Sequence, residues 1–183
     1  MYFEKSGEEH TEATLRTAHQ AAMARNVRYL LVASTTGATG LKAAHLCEDT
    51  NLTLIVVTHN TGFKEPGIQE LDAATKKEIE TWGGKILTAT MVLRGLGTSI
   101  RGKMHYSQEQ IVADTLRMMG PGTKVCVEMV AMAADAGLIP CEDVIAIAGT
   151  ARGADTALLI GAHSSNRFFD IKIKEVLVKP RNF

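Results

Sequence analysis

The segment Ser34-Thr35-Thr36-Gly37-Ala38-Thr39-Gly40 gathers two glycines and four hydroxyl side chains directly ahead of a helical pattern. These residue types suit a phosphate group. Gly37 and Gly40 can take positive φ and let the backbone come close to a ligand. The following helix aims unpaired N–H groups and a partial positive charge at whatever sits there. Ser34, Thr35, Thr36 and Thr39 can add hydrogen bonds to phosphate oxygens. The segment has no lysine and no GxGxxG spacing, so it is neither a Walker A loop nor a dinucleotide fingerprint. A plain strand-to-helix turn, capped by Thr36 or Thr39, accounts for the same residues.

Two further segments carry chemistry. His59 follows a strand-like run and precedes Gly62; it can hydrogen-bond a ligand or carry a proton near neutral pH, or rest against its own backbone. Phe63 can stack on a flat ring or pack beneath its loop. In Gly149-Thr150-Ala151-Arg152-Gly153 the glycines permit close approach, and Arg152 can pair with a phosphate or carboxylate. A tight hairpin explains those glycines equally well, and Asp155 reads as a residue that orients the turn. Arg94, Arg101, Lys103 and His105 lie in a stretch without Asp or Glu between Glu80 and Glu109, either a lid for anions or a solvated loop. Glu128 and Asp135 share a helical face, but such pairs mostly serve local ion pairing. No Ser-His-Asp elbow, HExxH or metal-spaced cluster occurs, so no metal site is expected.

These segments need elements to hold them. Helical spacing covers Glu8 to Asn26, with Ser6 and Glu9 as a possible capping box. Arg28 to Ala33 and Leu52 to Val57 are apolar runs of the kind that form strands buried on both faces. Thr58 to Ile68 is a loop, Gln69 to Trp82 a helix, and Lys85 to Ala89 a strand. Thr90 to Tyr106 lacks a clear period, and a stretch of that length is often functional or mobile. Ser107 to Met119 and Thr123 to Ala136 read as helices separated by Gly120-Pro121-Gly122. Strands follow at Asp143 to Ala148, Thr156 to Ile160 and Lys172 to Lys179. The alternation predicts a three-layer α/β domain over residues 1–183, with a mostly parallel sheet and helices on both faces. The segments 34–40, 58–67 and 149–153 then share the carboxyl edge of the sheet, where such folds bind ligands.

Composition narrows the function. Twenty basic residues balance twenty acidic ones, which gives no electrostatic reason to expect nucleic acid. No run approaches a membrane span, and no apolar stretch follows the first charges as in a signal peptide. Cys47, Cys126 and Cys141 have neither even number nor CxxC spacing, as in a reduced, cytoplasmic protein.

The run Val-Ala-Ser-Thr-Thr-Gly-Ala-Thr-Gly-Leu resembles a loop of the pyruvate kinase C-terminal domain, which in some pyruvate kinases binds the phosphate of an allosteric sugar bisphosphate. A wider resemblance, over nearly the whole chain, is to a small stand-alone family of pyruvate kinase C-terminal-domain-like proteins. It is carried by Phe3-Glu4-Lys5-Ser6-Gly7, Thr58-His59-Asn60-Thr61-Gly62-Phe63, Ala113-Asp114-Thr115-Leu116-Arg117, Lys124-Val125-Cys126-Val127-Glu128, Ala133-Ala134-Asp135-Ala136-Gly137 and the run from Gly149 to Thr156. Ser6 stands where that family carries proline. The resemblance implies a bound FMN with its phosphate on the 34–40 loop, in a flavoprotein whose enzymatic reading would be a flavin-dependent oxidoreductase. A non-catalytic sensor of a phosphorylated metabolite is the alternative. Pyruvate kinase activity is not expected, because that chemistry belongs to a separate barrel domain. The resemblance also leaves room for a homo-oligomer.

Overall fold

The computed structural model describes all 183 residues. Seven strands form one sheet: β1 (Tyr2–Lys5), β2 (Tyr29–Ala33), β3 (Thr53–Val57), β4 (Lys85–Leu87), β5 (Asp143–Ala148), β6 (Thr156–Gly161) and β7 (Lys172–Asn182). Six helices accompany them: α1 (Thr11–Arg25), α2 (Ala38–Cys47), α3 (Ala73–Thr81), α4 (Gly95–Met104), α5 (Gln108–Arg117) and α6 (Pro121–Asp135). The strand order is β1-β7-β6-β5-β2-β3-β4. Four pairings are parallel (β1–β7, β2–β3, β2–β5, β3–β4), and β6 runs antiparallel to both of its neighbours. The domain is α/β with a mostly parallel sheet.

Alternation along the central strands builds the two cores. Leu30 and Val32 of β2 and Ile145 and Ile147 of β5 join a cluster with Leu15, Ala18, Ala43 and Ile79, under α1, α2 and α3. Leu31 of β2 and Val144 and Ala146 of β5 face the other way, onto Cys126, Val130 and Ala133 of α6. Successive strand residues point to opposite faces, so apolar residues at every position require a cover on both sides.

Several boundaries differ from the sequence reading. The Ser6–Glu9 capping box does not form. Ser6 prolongs β1, donating its N–H to Asn182 O, and a 3-10 turn over Glu8–His10 leads into α1. α2 starts at Ala38, so Thr39 and Gly40 belong to its first turn. α3 starts only at Ala73, where the Asp72 carboxylate accepts the N–H groups of Ala74 and Thr75. Those bonds favour the charged carboxylate and hold its pKa below the ordinary value. The stretch 90–106 is not irregular: it contains α4, seated on α5 where Gly97 meets Glu109. Pro121 opens α6 at its first turn, where its missing N–H costs nothing.

Candidate functional site

The chain leaves β2 toward β3 on one side and leaves β5 toward β6 on the other. Adjacent parallel strands whose connections part in this way open a crevice at their carboxyl ends. The 34–40 loop and the 149–153 turn flank that crevice, with the 58–68 loop following the next strand.

Ser34 is buried at the end of β2. Its N–H donates to Val57 O at 2.9 Å, and its Oγ accepts the Gly40 N–H at 3.0 Å. Gly37, at φ 96°, stands at the N-cap position of α2, with no capping side chain. A side chain there would run into Leu71 and Thr75. Gly40 is helical, and its hydrogen lies where a Cβ would come within 2.6 Å of Val56 Cγ1 and 3.3 Å of Ile79 Cδ1. Gly40 thus brings α2 close to the sheet, and Gly37 makes the turn. The backbone N–H groups of Thr35, Thr36, Gly37, Ala38 and Thr39 donate to no acceptor within the protein. No acid occupies the first turn of α2. Thr36 is exposed, Thr35 half-buried and Thr39 buried.

In the second loop Thr58 is buried and its Oγ1 lies 2.7 Å from Thr88 Oγ1. His59 Nδ1 lies 2.9 Å from Glu70 Oε2. The His59 ring stacks on Phe63 with centroids 3.7 Å apart and planes 24° apart. The Arg94 guanidinium carbon sits 4.2 Å from the Phe63 centroid, necessarily on the opposite face. Both faces of Phe63 are therefore taken, which leaves only its edge free.

The 149–153 turn is a hairpin between β5 and β6. Gly149 has no room for a Cβ against Gly153 O, and Gly153, at φ 67°, packs on Glu8 and Thr11. Asp155 is fully buried. Its carboxylate accepts the Thr150 N–H at 3.1 Å and the Thr156 hydroxyl at 2.8 Å, so it orients the turn. The Thr150 hydroxyl is buried and has no hydrogen-bond partner in the protein. Arg152 is exposed at the tip.

The remaining candidates separate. Glu128 is 1% exposed and pairs with Lys124 one turn earlier, and its Oε1 accepts the Leu93 N–H at 2.7 Å. Burial pushes the Lys124 ammonium below its ordinary pKa, against the opposing pull of Glu128. Asp135 instead accepts the Ser165 N–H. Arg101, Lys103 and His105 are exposed. Cys126 is buried in α6, and its thiol pKa is raised by that burial. No group of three or more His, Cys, Asp and Glu side chains comes together. No helix is long and apolar enough to cross a membrane. A cleft of about 530 Å³ at the opposite edge of the sheet is lined by Arg25, Arg28, Glu142 and Asp143, whose charges pair among themselves or with Glu175 and Lys174.

Glu70 and Leu71 went unmarked in the sequence. Glu70 stands eleven residues from His59 across a loop, and no local spacing announces such a pair.

No protein-family model matches the chain. Among solved structures, the chain is similar to a pyruvate kinase from Cryptosporidium parvum, at 17% identity and TM-score 0.44, over 84% of this chain and 23% of that one. A second structure, Cryptosporidium parvum pyruvate kinase in complex with ADP, gives 19% identity and TM-score 0.41, over 81% and 22%. The chain thus spans less than a quarter of either. Likeness at this level carries no functional argument, and the α/β architecture stands on the strand order itself.

Proposed function

We propose that this chain binds a phosphate-bearing small molecule, with FMN the first candidate, at the carboxyl edge of its sheet. The observation that carries the reading is the run of N–H groups from Thr35 to Thr39, without acceptors, at the head of α2. Donors of this kind at a helix N-terminus suit a phosphate. The unpartnered hydroxyl of Thr150, on the neighbouring turn, adds a second donor in search of an acceptor. The choice of FMN rests on the resemblance of the sequence to the stand-alone family. When bound, that cofactor would supply electron or hydride transfer, and the protein would supply position and electrostatics.

Titration of FMN, followed by flavin fluorescence, tests the reading, with riboflavin as the control that lacks the phosphate. FMN should be quenched and riboflavin much less so. Thr36→Ala combined with Thr39→Ala should weaken FMN by about tenfold, the loss of roughly one good hydrogen bond. Absence of quenching by wild-type protein sinks the flavin assignment.

One observation favours a second reading, a non-catalytic sensor of a phosphorylated metabolite. Phe63 has both faces occupied and offers no platform for an isoalloxazine ring. Thermal stabilisation by sugar phosphates, with none by FMN, decides for the sensor.

A further inference from the structure

We infer that His59 forms the second half of the ligand site, accepting a hydrogen bond from the non-phosphate end of the ligand through Nε2, and that Glu70 is the residue that positions it. This inference rests on the phosphate-ligand reading above.

The argument begins with the tautomer. A carboxylate accepts hydrogen bonds and does not donate them. A neutral His59 facing Glu70 Oε2 at 2.9 Å therefore carries its proton on Nδ1. Nε2 is left as an acceptor, and no donor of the protein reaches it. A carboxylate behind one imidazole nitrogen is the arrangement that fixes the tautomer and the ring orientation.

The ring is held against rotation as well. Phe63 covers one face at 3.7 Å and is itself backed by Arg94. Phe63 from the same loop and Glu70 from just beyond it thus hold the imidazole on one face and at one nitrogen, and Arg94, ahead of α4, backs the Phe63 ring.

The dyad also adjoins the phosphate loop. Leu71, next to Glu70, and Thr75 are the side chains packed against Gly37. A ligand whose phosphate rests on residues 35–39 therefore extends along the wall that residues 59–75 build.

A purely structural role for the pair is the simpler account, but the loop is already closed without it. Gly62 N–H donates to Ile68 O, Ile68 N–H to Glu65 O, and the Gln69 side-chain amide to His59 O. Gln69 Oε1 also accepts the Leu71 N–H. The His59–Glu70 contact adds little that these bonds lack, except a defined tautomer with a free acceptor.

The ligand class follows: a phosphate at one end, and an N–H or O–H donor at the other, on a ring or a polyol. The test uses the whole chain, Glu70→Ala and Glu70→Gln. Long-range ¹H–¹⁵N spectra should show the Nδ1–H tautomer of His59 in wild type and a mixture in Glu70→Ala. FMN affinity should fall about tenfold in Glu70→Ala, and the visible flavin spectrum should return toward that of free FMN. Glu70→Gln, whose amide oxygen can still accept from Nδ1, should retain most of the affinity. FMN binding by Glu70→Ala within twofold of wild type, with an unchanged spectrum, overturns the inference and leaves the phosphate reading intact. Failure of wild-type protein to bind FMN overturns this inference together with the flavin assignment, and leaves the phosphate reading to the sugar-phosphate test.

Discussion

The Ser34 hydroxyl accepts the Gly40 amide hydrogen at 3.0 Å, so the residue that follows β2 also braces the first turn of α2. Of the four hydroxyl residues in this loop, Ser34 is thus committed inward. In the proposed site the donors left for a ligand are the backbone N–H groups between Thr35 and Thr39, with the Thr36 hydroxyl at the surface. Replacing Ser34 with alanine leaves the Gly40 N–H buried and unpaired. The expected loss is about 1–2 kcal/mol of stability, read from a denaturant midpoint, with weaker FMN binding because the donor loop loses its brace.

Gly40→Ala sets two effects against each other. Alanine improves helix propensity by up to about 1 kcal/mol. Its Cβ would sit 2.6 Å from Val56 Cγ1 and 3.3 Å from Ile79 Cδ1, both on fully buried side chains. Overpacking of this kind costs about 1–3 kcal/mol. The clash wins, and the variant should unfold at lower denaturant than wild type. An increase in midpoint would show that α2 can lift off β3.

The Lys124–Glu128 pair should behave as a unit. Both side chains are almost fully buried, and Glu128 also holds the Leu93 N–H. Lys124→Met strands a buried carboxylate and should cost about 3–5 kcal/mol. Adding Glu128→Gln removes the stranded charge while keeping an acceptor for Leu93, so the double variant should be more stable than Lys124→Met alone. Additive losses in that cycle would show that the pair is not coupled.

The thiols give a simple count. Cys141 is exposed, whereas Cys47 and Cys126 are buried. A thiol reagent should titrate one group per native chain and three after denaturation. Burial raises the Cys47 thiol from 9.0 to about 11. Between those values the unfolded chain has lost a proton that the native chain keeps. Stability from this group is therefore complete below pH 9 and declines as the pH rises toward 11. A denaturation series across that range should show the fall, and Cys47→Ala should make it shallower, leaving the part that the buried Cys126 thiol adds in the same direction.

Much of this fold was legible because its strands are buried on two sides. Runs such as Leu30-Leu31-Val32 and Ile145-Ala146-Ile147 have no polar phase, and only a doubly covered sheet accommodates them. β1 was not legible: Tyr2 to Lys5 lie at the sheet edge, mostly exposed, so no pattern marks them. α4 escaped for the same reason, since Gly97 alone of its ten residues is buried. The 34–40 loop was found by residue type, yet its glycines are explained mainly by neighbours distant in sequence: Leu71 and Thr75 for Gly37, Val56 and Ile79 for Gly40. The His59–Glu70 contact depends on how a whole loop returns to its starting point, which no spacing rule encodes.

The hydroxyl of Thr11 donates to Glu8 O at 2.6 Å and accepts the Ala154 N–H at 3.0 Å. One oxygen therefore clasps the head of the first helix to the hairpin beside the crevice. Whatever steadies that hairpin also steadies residues 8–11. Were the proposed ligand to settle in the crevice, the amide of Ala154 would be a built-in gauge, its hydrogen-exchange rate registering occupancy from a position that need not touch the ligand.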